Sequence, residues 1–274
     1  MLSYQHGYHA GNFADVIKHV SLCLIMDYMT LKDKPFFYLE THAGRGLYSL
    51  NDAKAVKTGE FQHGIGRLWK TRHLLPQEFA SWIKRIEKFN NNTLRWYPGS
   101  PALAIEALRS MDRIYCCELH PQEYNALQEL PTQEKRVHYS NSDGLAALRS
   151  LLPPKEKRGL IMIDPSYEIK EEYKRVPDAL HQAYLRFSTG VYVLWYPLIQ
   201  NSYSEILHAR IKKIPGLNKL NLEFNLNQPE NSGMTGTGLW ILNPPYVLEQ
   251  QLNIVMQTLS QYFNPGKSTF HISC

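Results

Sequence analysis

No apolar run in the chain approaches the roughly 18 residues that a membrane-spanning helix needs. The first residues, Met1-Leu2-Ser3-Tyr4-Gln5-His6, lack the basic and apolar regions of a secretory leader. Cysteine is scarce: Cys23, Cys116, Cys117 and Cys274 are the only four in 274 residues, two of them adjacent inside an apolar run. That spacing excludes a disulfide scaffold and a zinc motif, and it is read as reduced thiols in a cytoplasmic protein. Repeats and low-complexity tracts are also missing, and no Gly-Lys-Ser/Thr follows the glycine loop after the first strand to form a P-loop. What remains is a composition of 43% hydrophobic and 20% charged residues, that of a soluble globular chain long enough for a sizeable core.

Strand-like and helical runs alternate through most of that length. Phe36–Glu40, Arg113–Cys117, Arg136–Ser140, Gly159–Ile163 and Val191–Tyr196 read as strands. Helical patterns lie near Pro101–Ser110, Pro121–Leu130, Asp143–Leu151 and Glu171–Phe187. Such alternation calls for a parallel sheet with crossover helices. Lys219–Leu226 and Gly238–Leu242 then flank a glycine-rich loop and read as a closing antiparallel pair, giving an α/β fold with a mostly parallel, seven-stranded sheet.

Chemistry-bearing residues follow the strands in order. Ile161-Met162-Ile163-Asp164-Pro165-Ser166-Tyr167 takes a buried strand straight into an acid, a proline and an aromatic. Ligands of open α/β sheets bind at the carboxyl ends of the strands. An exocyclic nucleobase amine is a poor nucleophile, because its lone pair is delocalised into the ring. The Asp164 carboxylate and the Pro165 carbonyl can accept both amine hydrogens and return that lone pair to nitrogen, while Tyr167 stacks on the flipped base. The plainer alternative is a strand ending in an ordinary Asp-Pro turn. After the first strand, Glu40-Thr41-His42-Ala43-Gly44-Arg45-Gly46 resembles the pattern acid-x-Gly-x-Gly-x-Gly with His42 at the first glycine, and Gly44 and Gly46 would let backbone approach a cofactor closely. Glu118 follows the second strand, where a dinucleotide fold places its ribose-binding acid. Asp143-Gly144 follows the third and can accept an adenine amino group, although Asp143 also sits where a helix cap belongs.

A second motif, Asn243-Pro244-Pro245-Tyr246, fits the amine-methylation pattern Asp/Asn-Pro-Pro-Tyr better than the first. Its strand should run antiparallel, however, so its carboxyl end should face away from the other strand ends. It is read as a strand exit into a helix at Val247–Gln257. Gly46 and Glu118 are 72 residues apart, against about 20 in dinucleotide folds, so a helical insertion is expected at residues 51–95 within a single domain, 1–274. Between Lys54 and Arg95 lie nine Lys or Arg against three Glu, a local excess of six in a chain whose total is +5. Interleaved with Phe61, Trp69, Trp82, Phe89 and Trp96, these charges suit a nucleic-acid backbone, the alternative being a solvated helical face. Near the N-terminus, Asn12 reads as a helix cap with Asp15 favouring the helix dipole, and Lys18 and His19 lie off the apolar stripe Phe13, Val16, Ile17, Val20 and Leu24. His6, His9 and His19 have no partner at metal-ligand spacing, so no metal is expected. Tyr97–Pro101 reads as a turn feeding a helix, with Ser100 as its cap.

Five parallel strands closed by an antiparallel pair are the layout of the class I, Rossmann-like S-adenosylmethionine-dependent methyltransferases. Beyond layout, the chain closely resembles the bacterial 23S rRNA adenine-N6 methyltransferase family, RlmJ. The resemblance is carried by Tyr4-x-His6-x-x-His9-Ala10-Gly11-Asn12, Lys18-His19, Thr41-His42-Ala43-Gly44-x-Gly46, Tyr97-Pro98-Gly99-Ser100-Pro101, Glu118-Leu119-His120-Pro121, Asp143-Gly144, Ile163-Asp164-Pro165-x-Tyr167, Leu194-Trp195-Tyr196-Pro197 and Asn243-Pro244-Pro245. It implies S-adenosylmethionine binding by His19, His42, Ser100, Glu118, Asp143 and Gly144, with Asp164 as catalytic acceptor and Tyr4, His6 and Lys18 around the target adenine of 23S rRNA. Ser166 departs from the family's usual proline. Methylation of DNA adenine or of a protein glutamine is an alternative, as is a non-catalytic nucleic-acid-binding protein for the use of external DNA. No membrane partner is expected, and a monomer is favoured.

Overall fold

Eight strands form one twisted sheet in the computed structural model, which describes residues 4–132, 135–199, 203–216, 218–227 and 233–274. The first three residues of the chain, and much of the glycine-rich loop before Gly233, lie outside those residues. In chain order the strands are β1 (Phe37–Glu40), β2 (Leu47–Ser49), β3 (Trp96–Pro98), β4 (Arg113–Cys117), β5 (Val137–Ser140), β6 (Gly159–Ile163), β7 (Val191–Ile199), β8 (Lys219–Asn225), β9 (Met234–Leu242) and β10 (Thr269–Ser273). The α-helices are α1 (Phe13–Thr30), α2 (Ala53–Thr58), α3 (Glu60–His63), α4 (Ile65–Lys70), α5 (Ala80–Glu87), α6 (Ser100–Ala107), α7 (Pro121–Gln128), α8 (Gly144–Leu151), α9 (Glu172–Arg186), α10 (Tyr203–Lys212) and α11 (Leu248–Tyr262).

The sheet order is β5-β4-β1-β6-β7-β9-β8-β10. The first five pair in parallel, and β9 inserts antiparallel between β7 and β8. The expected seven strands are thus corrected to eight. Thr269-Phe270-His271-Ile272-Ser273 adds an antiparallel edge on β8 and turns Phe270 and Ile272 onto the core. That run is only five residues long and alternates with polar side chains, so it carries little apolar signal. The smaller pair β2–β3 stands apart and ties the glycine loop to the turn before α6.

Period-two alternation divides the central strands between two cores. Tyr38, Ile114, Cys116, Leu160, Met162 and Val193 face one side, with α1, α6 and α11. Phe37, Leu39, Cys117, Ile161, Ile163 and Leu194 face the other, with α8, α9 and α10. Strands buried on both faces read as the continuous apolar runs seen in the sequence. Segment 51–95 does not stand off as an arm. Trp69, Phe79, Trp82, Ile83 and Ile86 enter the same core as α1 and α6, so these insertion aromatics serve packing.

Candidate active site

Parallel strands bring their carboxyl ends to one edge, and each chemistry-bearing residue follows one of them. Thr41 and His42 leave β1, Glu118 leaves β4, Asp143 follows β5, and Asp164 leaves β6. They surround one cleft of about 1230 Å³, and Tyr4, His6, Lys18, His19, Gly44, Ser100, Gly144, Pro165 and Tyr167 line it as well. A pocket for one small ligand commonly measures about 300–1,000 Å³, so the space suits a cofactor with a base beside it. Asn243 is far from it. Because β9 is antiparallel, Leu242 pairs with Tyr192 near the start of β7, and the Asn243 amide donates to the carbonyls of Ser188 and Gly190 at the opposite edge.

Helix α1 forms the wall opposite Asp164. Asn12 caps it, its side chain accepting the Asp15 amide at 3.0 Å. The stripe seen in the sequence understates its burial: Asp15, Lys18 and His19 are 2%, 4% and 1% exposed. Lys18 Nζ lies 2.5 Å from Asp164 Oδ2 and 3.0 Å from Asp15 Oδ1. Burial alone would lower the ammonium, but the two carboxylates outweigh it and raise Lys18. Burial alone would likewise raise Asp15, and the His6, Lys18 and His19 side chains together hold it well below the usual carboxylate range. His6 Nε2 meets Asp15 Oδ2 at 2.9 Å, and Tyr4 OH lies 2.8 Å from His6 Nδ1. The His6 ring is thus held at both nitrogens, by Asp15 on one side and by the Tyr4 hydroxyl on the other. Tyr4 also stacks on His9, whose ring bonds Glu60.

The β1 end supplies a second buried group. Glu40 accepts hydrogen bonds from the Ser100 and Tyr38 hydroxyls, and burial, joined by the Asp164 charge, pushes it up to about 8. Ser100 is therefore the first residue of α6, not its cap, which is Gly99. His19 lies against Tyr97 OH at 2.8 Å and burial lowers it to about 3. The half-enclosed His42 ring is desolvated to about 4. Both rings are neutral at pH 7.

Cofactor-type acids are pre-positioned by backbone. Glu118 Oε2 accepts the Gly44 amide at 2.8 Å and Oε1 the His120 amide at 2.7 Å, leaving a lone pair on each oxygen for a ligand hydroxyl. Asp143 caps α8 through Oδ1, and its Oδ2 pairs with Arg175 at 2.5 Å. A side chain at Gly144 would place Cβ 2.0 Å from the Thr41 carbonyl, so only glycine lets α8 start against the β1 loop. Tyr167 is 9% exposed, has φ +53°, packs on Tyr173 at 4.5 Å and donates to the Trp195 carbonyl at 3.1 Å. A positive φ is costly for an aromatic residue and recurs at functional loops.

Sequence reasoning assigned no site role to Asp15, Arg175 or Trp195. Asp15 reads there only as a favourable charge for the helix dipole, and its position three residues after the cap is the one signal that could have exposed it. The insertion charges are also partly consumed. Arg85 pairs with Asp27, Lys88 with Glu106 and Arg72 with Glu87, whereas Lys70, Lys84 and Arg95 are exposed and form no ion pair among the described residues. Among those residues no group of three His, Cys, Asp or Glu is arranged to hold a metal, and no helix is long and apolar enough to cross a membrane.

Five parallel strands ordered around β1, an antiparallel β9 next to β7, and a cleft at the parallel carboxyl edge define a class I methyltransferase. The family model described as ribosomal RNA large subunit methyltransferase D, RlmJ, matches residues 33–273. The chain is 41% identical over 269 residues to a Haemophilus influenzae ribosomal RNA large subunit methyltransferase J, covering 97% of this chain and 95% of the relative. It is equally 41% identical, over 273 residues and the same shares of both chains, to the Escherichia coli K12 protein of that name. The crystal structure of a Legionella pneumophila protein superposes with a TM-score of 0.93 at 50% identity, covering 97% of this chain and 98% of that one. The chain belongs to the RlmJ family. It is a methyltransferase, and its methyl donor is S-adenosylmethionine.

Proposed function

We propose that this chain methylates N6 of one adenine in 23S ribosomal RNA, with Asp164 as the amine acceptor. The observation that carries the reading is the position of Asp164-Pro165 at the end of β6, in one cleft with Glu118, Asp143 and Gly144. When bound, S-adenosylmethionine supplies an electrophilic methyl group on a sulfonium. Glu118 is placed for the ribose hydroxyls and Asp143-Gly144 for the adenine ring. Gly44, Ser100, His19 and His42 line the remainder, and the two neutral imidazoles set no positive charge against the sulfonium.

The target base enters between Asp164 and the Tyr4, His6 and Lys18 side chains. Asp164 and the Pro165 carbonyl accept the amine hydrogens and aim the nitrogen lone pair, and Tyr167 forms the wall on which the base stacks. Alignment of this kind can supply most of the rate. Once nitrogen is cationic, Asp164 or water takes its proton. RNA is favoured over DNA or a glutamine amide by the names of the two curated relatives, and the exposed lysines of the insertion suit a phosphate backbone. We take the chain as one domain acting in the cytoplasm. Labelled-methyl transfer should be seen with unmodified 23S rRNA and not with DNA or protein, and rRNA from a deletion strain should lack one N6-methyladenine. Transfer to DNA alone would reject the reading.

A further inference from the structure

We propose that Asp15 is a positioning residue that draws Lys18 away from Asp164 when the target amine arrives, an inference that rests on Asp164 being the amine acceptor. Asp15 occupies the first turn of α1, where a carboxylate usually needs only a nearby backbone amide. It has one, the Gly11 amide at 2.9 Å from Oδ2. Yet it also holds His6 Nε2 on that oxygen and Lys18 Nζ on the other. A carboxylate this deeply buried loses its hydration, and that loss is offset here by three donors, two of them side chains of the cleft wall.

The arrangement around Lys18 is asymmetric. One ammonium lies between two carboxylates, closer to Asp164 at 2.5 Å than to Asp15 at 3.0 Å. Asp164 Oδ2 thus holds a cationic donor, which competes for the oxygen that an amine hydrogen must reach and withdraws its charge. Lys18 has a second anion within contact distance, so it can release Asp164 without becoming an unpaired buried charge. Asp15 itself cannot follow, because the Gly11 amide and the His6 ring fix it. It never touches the substrate and acts through Lys18.

An asparagine at 15 keeps one oxygen for the Gly11 amide but has no charge for Lys18. Lys18 would then stay on Asp164. The test uses the full chain with unmodified 23S rRNA, measuring kcat at saturating S-adenosylmethionine and cofactor affinity by calorimetry. Asp15→Asn is expected to lower kcat by about 100-fold while cofactor affinity stays close to wild type. The effect should largely vanish in a Lys18→Met background, since the two residues act as one unit. A near wild-type kcat in Asp15→Asn, or losses that simply add across the double-mutant cycle, would overturn the proposal. If Asp15→Asn fails to fold, Asp15→Glu decides, because it keeps the charge and moves it by one methylene. A lowered kcat with cofactor affinity held supports the inference, and an unchanged kcat overturns it. A wild-type protein that methylates no rRNA is a different result, since it rejects the proposed function and not the role of Asp15.

Discussion

Replacing Asp164 with alanine should abolish methyl transfer and leave a folded, cofactor-binding protein that is measurably less stable. The side chain is 14% exposed, and its removal takes one of two anions from the buried Lys18 ammonium. Breaking a buried ion pair typically costs about 3–5 kcal/mol. Here the lower end applies, because Asp15 remains 3.0 Å from Lys18. A loss near 3 kcal/mol in a chain of this size corresponds to a fall in Tm of roughly 5–10 °C. The catalytic deficit should be larger, about 10²–10⁴-fold for a lost proton acceptor. Asp164→Asn separates the two effects. Its carbonyl oxygen still accepts from Lys18, so most of the stability should return, whereas activity should recover only in part because the charge is gone. Differential scanning calorimetry and single-turnover transfer of labelled methyl to 23S rRNA read both quantities. Near wild-type transfer by Asp164→Ala, with an inactive Asn243→Ala, would refute the choice of motif despite the position of Asn243 at the far edge of the sheet.

Neutralising Lys70, Lys84 and Arg95 together should weaken RNA binding and reduce its salt dependence by about 0.7 for each phosphate that is no longer neutralised. Arg85→Ala should leave that slope alone and lower Tm, because Arg85 pairs with Asp27 within the protein; an unchanged slope in the triple variant would mean those charges only solvate a surface. Ser166→Pro should fold, bind cofactor and keep equal or higher activity in the same transfer assay, since among the described residues no backbone hydrogen bond donated by the Ser166 amide is found and a second proline restricts the loop. A variant that binds cofactor but no longer transfers methyl would show that Ser166 has a role of its own. Glu40 is pushed up to about 8, so the folded protein holds a proton that the unfolded chain releases above its ordinary value of 4.5. Its contribution to stability is therefore complete below pH 4.5 and declines as pH rises to about 8. His19, neutral in the fold down to about 3, works in the opposite sense, but only below its ordinary value of 6.5. Above pH 6.5 His19 no longer contributes, while His9, raised by its hydrogen bond to Glu60, loses stabilisation in the same sense as Glu40; Glu40→Gln should therefore flatten, without abolishing, the fall of Tm between pH 6.5 and 8. Parallel Tm profiles of wild type and variant would contradict the buried, protonated Glu40.

Much of the molecule was legible from the chain because it is written locally. A strand buried on both faces is a run of apolar residues, and a parallel sheet sends every such run to the same edge, so His42, Glu118, Asp143 and Asp164 could be set around one cleft from their order alone. The same directional argument placed Asn243 at the opposite edge, although its motif is the better match to the amine-methylation pattern. Only the tertiary structure showed which charges meet. Lys18 and Asp164 are 146 positions apart, and Arg85 finds Asp27 from a different helix. No periodicity encodes such pairs, because a helix packed on several sides buries its polar residues along with its stripe. That packing turned Asp15 from a favourable end charge into the anchor of Lys18. It also removed Arg85 and Lys88 from a basic surface that the sequence counts whole. Local propensity determines where strands end and what they carry there, whereas the pairing of distant charges is set by close packing, which forces each buried ion to find a partner.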